Sequence, residues 1–216
     1  MTFFKLLKEY LFPRFCVSCG KEGEWWCRTC RGKITPFNFD SPLGRGRGGL
    51  ATSLDKLTAL FHYTDNPALE KLIKDFKYNY VRDIDDLWTE ILSDAKLTFA
   101  TDAVFVPVPL HDRRLRERGF NQAAELSRIL SKIYHRPERA GELRRVRVTS
   151  QQAGMTREDR LNNVAGAFAW VGEEVAPARV VLVDDVYTTG ATMGECAKVL
   201  RANGAKYIEA LVLAHG

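Results

Sequence analysis

The chain lacks any long hydrophobic run. Nowhere in its 216 residues is there a stretch approaching the ~18 apolar residues of a membrane-crossing helix, so no membrane span is expected. No secretory leader is expected either: the N-terminal MTFFKLLKEYLF reads as too short and too charged for one, and no small-residue cleavage site follows it. That segment reads as a short amphipathic helix, and a cytoplasmic location is expected. Cysteine is scarce. Of the five, four fall between Cys16 and Cys30 and the fifth is Cys196. A secreted disulfide framework spreads its cysteines out, so clustering argues against bridges and for metal. Histidine is sparser still, and His62, His111, His135 and His215 show no ligand spacing among themselves. They read as surface or packing residues, with His111 the one placed to do more. No internal repeat is visible beyond a paired Cys-x-x-Cys.

What is present is ordinary in bulk. Hydrophobic residues make up 45% and charged residues 27%, enough for one sizeable core plus an appendage. The net charge of +5 is uneven. Residues 1–50 hold nine basic against four acidic residues, and residues 104–160 hold thirteen against seven. Two basic zones on a roughly neutral remainder fit a polyanionic partner, either nucleic acid or a phosphorylated metabolite, or else two solvated faces.

The glycine-rich PLGRGRGGL (Pro42–Leu50) has no apolar periodicity and reads as a linker. The expected division is therefore a cysteine-rich module at 1–40, a linker at 41–50 and a main domain at 51–216. Within that domain, LTALFHY reads as a strand, followed by Asn66 as a helix N-cap and Pro67 at the first helical position. Leu69, Leu72, Ile73 and Phe76 then recur at helical spacing, as do Ile84, Leu87, Trp88, Ile91 and Leu92. AVFVPVP reads as a buried strand closed by prolines. Asn121 caps a helix with Ala123, Leu126, Leu130 and Ile133 inward. VVLV is another strand, Met193, Cys196, Ala197 and Leu200 mark a helix face stopped by Gly204, and YIEALVLA is the last strand. Continuous apolar strands between amphipathic helices predict an α/β domain, with a parallel sheet covered on both faces. Ligands bind such sheets beyond the C-terminal ends of the strands.

VVLVDDVYTTGATM (Val180–Met193) sits at that edge. Its strand ends in Asp184 and Asp185, then hands over to Thr188, Thr189, Gly190, Ala191 and Thr192 at a helix start. Unpaired amides and the helix dipole at such a start favour phosphate. Gly190 lets backbone approach closely, and the threonine hydroxyls add donors. The acids suit sugar hydroxyls, directly or through a divalent cation. The bland reading is a strand–helix turn with incidental acids. The pattern resembles the phosphoribosyl pyrophosphate (PRPP) motif of type I phosphoribosyltransferases. That resemblance implies ribose contacts at Asp184 and Asp185, the 5-phosphate on Thr188, Thr189, Gly190, Ala191 and Thr192, and Mg²⁺ arriving with PRPP.

Two further stretches narrow the resemblance. VPVPLHDRRLRERGFNQAAEL (Val106–Leu126) puts Arg113, Arg114, Arg116 and Arg118 beyond a strand end, where bidentate arginine–phosphate pairing is available. RVRVTSQQAGMTREDRLNNVAGAF (Arg145–Phe168) is long, polar and without a clean period. With the cysteine head, in this order, they make the chain similar to the ComF family, competence-associated proteins with a type I phosphoribosyltransferase-like domain and an N-terminal zinc ribbon. Met155 stands where leucine is expected. The resemblance implies a pyrophosphate loop at Pro109, Leu110 and His111, with Arg113, Arg114, Arg116, Arg118, Arg145, Arg147, Arg157 and Arg160 meeting pyrophosphate or nucleic acid. It also implies a loop that closes over PRPP, carrying Gln152 and Asn163 as well. Arg160 and Asn163 either act there or tie the loop to the sheet. Phe120 either stacks a base or packs.

CVSCGKEGEWWCRTC gives Cys16-x₂-Cys19 and, seven residues on, Cys27-x₂-Cys30. Four thiolates in two close pairs suit a tetrahedral structural Zn²⁺, closed to catalysis. A module this small has no core of its own, so the metal must supply folding energy. Trp25 and Trp26 either pack on this ribbon or, with Arg14, Arg28, Arg31 and Lys33, form a platform for single-stranded nucleic acid. Cys196, on a helix core face, is expected to be inert. Two functions fit: a PRPP-binding protein handling incoming single-stranded DNA in natural competence, or a phosphoribosyltransferase acting on an unidentified nitrogen acceptor. Asp185 is then the nearest candidate for a base. A third, blander reading is a scaffold contacting a competence helicase or DNA-uptake protein through the zinc head.

Overall fold

The computed structural model describes residues 10, 13–33, 39–42, 53–63, 66–78, 84–147 and 163–216. The chain enters through the cysteine head, which carries one short helix, α1 (Arg28–Arg31). It continues as β1 (Phe39–Pro42), β2 (Lys56–His62), α2 (Pro67–Tyr78), α3 (Ile84–Asp94), β3 (Ala103–Pro107), α4 (Asp112–Arg118) and α5 (Gln122–Tyr134). A small hairpin follows, β4 (Leu143–Arg145) with β5 (Phe168–Trp170), then β6 (Arg179–Tyr187), α6 (Ala191–Ala202) and β7 (Tyr207–His215).

Five strands form the main sheet in the order β1-β2-β7-β6-β3. β2, β7, β6 and β3 are parallel, and β1 joins the β2 edge antiparallel. Along β6 the side chains alternate with period two: Val181 and Val183 enter one apolar cluster, Val180 and Leu182 the other. α2, α3 and α5 cover the first face and α6 the second. The parallel sheet flanked by helices, with a cysteine cluster near the N-terminus, is the architecture expected from the sequence.

The helix signals hold in detail. Asn66 Oδ1 accepts from Leu69 N at 3.0 Å, and Asn121 Oδ1 accepts from Ala123 N at 3.1 Å. Ile84, Leu87, Trp88, Ile91 and Leu92 are all buried. Phe120 packs, meeting Phe76 at 5.9 Å between ring centroids, and is 8% exposed. It is a core residue rather than a stacking platform.

Three elements lacked a sequence signal. α4 buries no residue, so it has no apolar period. It is held instead by His111 as N-cap, Gly119 in the left-handed region (φ 80°) as C-cap, and an Arg113–Glu117 ion pair one turn apart. The β4–β5 hairpin has only three residues per strand. β1 has four and lies on an edge, and it includes Ser41 and Pro42, which the sequence reading placed in the linker. Residues 43–50 lie outside the described residues.

The head is docked on the body. Trp26 is 1% exposed and meets Phe61 of β2 at 5.7 Å. Covering a side chain of that size contributes on the order of 2–3 kcal/mol. Glu90 Oε1 on α3 accepts from Arg31 Nη2 at 2.7 Å and from Arg28 Nη2 at 2.9 Å. Trp26, Arg28 and Arg31, grouped above as one face of a nucleic-acid platform, are thus engaged with the body.

Candidate functional site

At the head, Cys16, Cys19, Cys27 and Cys30 place their sulfur atoms within 4.8 Å of one another. The donor set fits zinc: four thiols, the right number for a closed tetrahedral shell, with backbone N–H groups turned toward sulfur. Cys27 N donates to Cys16 Sγ at 3.4 Å. Burial opposes ionisation of Cys16, but the amides of Cys27, Cys19 and Ser18 favour the thiolate, and the balance brings it down to about 6. Gly20, at φ 73°, turns the chain between the pairs. These residues could hold a zinc ion, which would tie the two pairs together and supply folding energy to the head.

At the sheet, β6 carries the two acids on opposite faces. Asp185 is 6% exposed, and its Oδ2 lies 3.0 Å from Lys77 Nζ on α2. Asp184 turns to the other face, and its Oδ1 accepts from Asp185 N at 2.9 Å. Burial first, and then the charge of Asp185, push the Asp184 carboxyl up to about 7. Lys77 and Arg145 only partly offset this. A carboxylate held this high would be relieved by an arriving cation.

The strand then gives way to Thr188, Thr189 and Gly190. Gly190, at φ 75°, is the N-cap of α6 and makes no side-chain cap hydrogen bond of its own. The positive φ favours glycine here, and an added Cβ would force the Tyr187 hydroxyl to shift. Thr189 Oγ1 accepts weakly from Ala191 N at 3.4 Å. Ala191 and Thr192 open the helix, and their N–H groups face the turn as the start of a helix dipole.

The segment after β3 lies beside this end. Val108 N donates to Val183 O at 2.9 Å, fixing Pro109, Leu110 and His111 next to the end of β6. His111 Nδ1 accepts from Arg113 N at 3.1 Å, so His111 caps α4. The α4 arginines divide. Arg113 and Arg116 are exposed, while Arg114 and Arg118 are half-buried, and Arg118 Nη1 donates to Gln122 Oε1 at 3.3 Å.

Arg145 of β4 feels the charges of both Arg114 and Asp184. Burial, then the Arg114 charge, pull its guanidinium below the ordinary value, while Asp184 pulls the other way. Its guanidinium carbon stands 5.4 Å from the Phe168 ring centroid. Arg147 Nη2 donates to the carbonyls of Asn163 and Ala165 at 3.3 and 2.5 Å, tying together the two stems of the long polar segment. Gln152, Arg157 and Arg160 lie outside the described residues.

The sequence reading missed one grouping. His62 and His215, 153 positions apart, end the adjacent strands β2 and β7, and their rings stand 6.2 Å apart, edge to face. Tyr187 stacks on His215 at 5.6 Å. No local spacing signals this. The pairing of β2 with β7 creates it.

Comparison with known proteins gives the following. The chain is 33% identical over 211 residues to Competence protein F of Haemophilus influenzae, spanning 94% of this chain and 85% of that protein. It is 31% identical over 148 residues to Competence protein ComFC of Bacillus subtilis, spanning 66% of this chain and 57% of that one. With the DNA utilization protein YhgH of Escherichia coli K12 it shares 38% identity over 104 residues, 48% of this chain and 45% of the other. Among solved structures, a purine phosphoribosyltransferase from Pyrococcus horikoshii is similar at 22% identity, 62% of this chain, 72% of the other and a TM-score of 0.31, too slight a likeness to argue from. No protein-family model matches.

Proposed function

The chain belongs to the ComF family of competence proteins, and on that premise we propose that it binds PRPP at the acid-ended strand and acts in the handling of incoming single-stranded DNA. The observation that carries this is a convergence. The two acids, a helix start with only a weak Thr189 cap and an arginine-bearing turn meet at the C-terminal ends of the neighbouring strands β6 and β3. In this reading the 5-phosphate lies on Thr188–Thr192 and takes the first amides of α6. The ribose hydroxyls meet Asp184 and Asp185. Pyrophosphate lies toward Pro109–His111, with Arg114 and Arg145 as its nearest cations. Asp184 would meet a Mg²⁺ ion arriving with PRPP, whose charge would neutralise the pyrophosphate. No helix among the described residues is long and apolar enough to cross a membrane.

The DNA side of the proposal rests on the relatives' names, Competence protein F and DNA utilization protein, and on the exposed α4 arginines. The test is calorimetric titration of PRPP and Mg²⁺ with and without a single-stranded oligonucleotide, alongside oligonucleotide titrations at several salt concentrations. DNA affinity is expected to fall with salt and with Arg113→Ala plus Arg116→Ala, because each lost phosphate contact removes a released counterion. DNA binding insensitive to both removes the nucleic-acid half of the proposal. The alternative, transfer of ribose 5-phosphate to a nitrogen acceptor, is favoured by the same geometry and is read as pyrophosphate release from PRPP that needs Asp184 and Asp185.

A further inference from the structure

We propose that Gln122 is a positioning residue of the acid-ended site: its buried side-chain amide holds Lys77 against Asp185 and keeps Arg118 of α4 at a fixed spacing from that pair. This rests on the reading that PRPP binds across the ends of β6 and β3. Gln122 opens α5 and is 2% exposed. A glutamine so deeply buried must find partners for both ends of its amide. It finds them on two different elements. Nε2 donates to the Lys77 carbonyl of α2 at 3.2 Å, and Oε1 accepts from Arg118 Nη1 of α4 at 3.3 Å.

Those partners decide which side chain can stand here. A carbonyl oxygen needs a donor and a guanidinium needs an acceptor, and an amide on a stem of this length carries one of each. Glutamate would set a second acceptor against the Lys77 carbonyl, and methionine would fill the same space with neither group. Lys77 lies in the last turn of α2, where a carbonyl has no N–H of its own helix to accept from. Gln122 supplies a donor from outside and so fixes the helix end. From that end Lys77 Nζ reaches Asp185 Oδ2 at 3.0 Å, with the lysine side chain 25% and the aspartate side chain 9% exposed. A pair partly withdrawn from water is favourable only while its geometry is held.

The residues just before Gln122 act in the same place. Phe120 packs on Phe76, the residue preceding Lys77. Asn121 Nδ2 donates to Val108 O at 3.0 Å, and Val108 leads into Pro109–His111. Three consecutive side chains, Phe120 to Gln122, thus join the end of α2, the turn after β3 and the arginine helix α4. These pieces must keep their places around β6 for acids and cations to meet one anionic ligand. Lys77 offsets the charge of Asp185, which by itself repels such a ligand. Gln122 touches no ligand in this scheme. It acts through Lys77 and Arg118.

The test titrates the full chain with PRPP and Mg²⁺ by calorimetry, beside Gln122→Met, Gln122→Glu, Lys77→Met and the double variant Gln122→Met plus Lys77→Met. Gln122→Met is expected to raise the PRPP Kd about tenfold. Gln122→Glu keeps the acceptor for Arg118 and loses the donor to Lys77. It is expected to weaken PRPP in the same direction, and it guards against a methionine variant that fails to fold. Lys77→Met is expected to weaken PRPP too, and the double variant by less than the product of the single effects, because one change acts through the other. A merely structural role would leave alone the ¹⁵N signal of the Lys77 ammonium, identified by its loss in Lys77→Met. That signal is expected to move in both Gln122 variants without ligand, while cooperative melting is kept. The proposal is overturned if both Gln122 variants bind PRPP as the natural chain does, if the single effects multiply in full, or if the Lys77 signal stays in place. Failure of the natural chain to bind PRPP sinks the donor reading on its own, and the Lys77 signal then still decides whether Gln122 holds the pair.

Discussion

The cysteine head and the C-terminal edge of the sheet are both candidate ligand sites, and they are built in opposite ways. The head draws all four donors from Cys16–Cys30 and brings their sulfurs within 4.8 Å of one another using two tight turns. Its core is the metal it could hold, and it borrows the rest of its burial from Phe61 and Glu90. The sheet edge takes its groups from β6, from the segment after β3 and from the hairpin, residues spread from Pro109 to Thr192. Its burial is already supplied by the sheet, so its polar groups can be held under electrostatic tension. Asp184 near 7 beside an ion-paired Asp185 is that tension made visible. Local spacing makes a site that stabilises; long-range pairing makes one with reactive groups to spare.

The largest expected effect breaks the head. Cys27→Ser in the full chain, or strong chelation, is expected to take zinc content from about one per chain to near zero by atomic absorption. Such modules draw on the order of 10 kcal/mol from their metal, so the head should unfold outright and Trp26 emission should shift to the red as it leaves Phe61. A chain with no zinc at the start contradicts this.

The second acts on the edge through pH. Asp184 has a folded pKa of about 7, raised from its ordinary 3.8, so between those values the folded state binds more protons than the unfolded one. The stability this group contributes is fully present below pH 4 and is lost as pH rises to about 7. In buffer free of divalent ions, the loss is expected to be about 2–4 kcal/mol, read by urea titration at several pH values. Asp184→Asn should flatten the profile. An unchanged slope in that variant shows that another group carries it.

The smallest sharpens the boundary between the two regions. Glu90→Gln removes the charge that Arg28 and Arg31 share, and Arg31 is only 14% exposed. A loss of about 1–2 kcal/mol is expected, with zinc content unchanged. Full stability in this variant means that Trp26 alone docks the head.

How much of this was legible in the sequence follows from the same contrast. Strands and helices buried on a face announced themselves by period, as Leu69–Phe76 and Ile84–Leu92 did. So did the cysteine pairs and the acid-ended strand, whose chemistry lies within a few consecutive positions. α4 was hidden because a helix with no buried residue has no apolar period, and its signal was the His111 and Gly119 caps. The engagement of Arg28 and Arg31 with Glu90 was hidden because it depends on where α3 packs. The ring row was hidden because His62 and His215 meet only when β2 joins β7.

The most direct test of the central claim is calorimetric titration of the full chain with PRPP and Mg²⁺, comparing the natural chain with Asp184→Asn plus Asp185→Asn. Binding of one PRPP per chain is predicted for the natural protein. Loss of two charge-assisted contacts in the double variant should weaken it about 100-fold. Equal PRPP affinity in the two proteins would contradict the account.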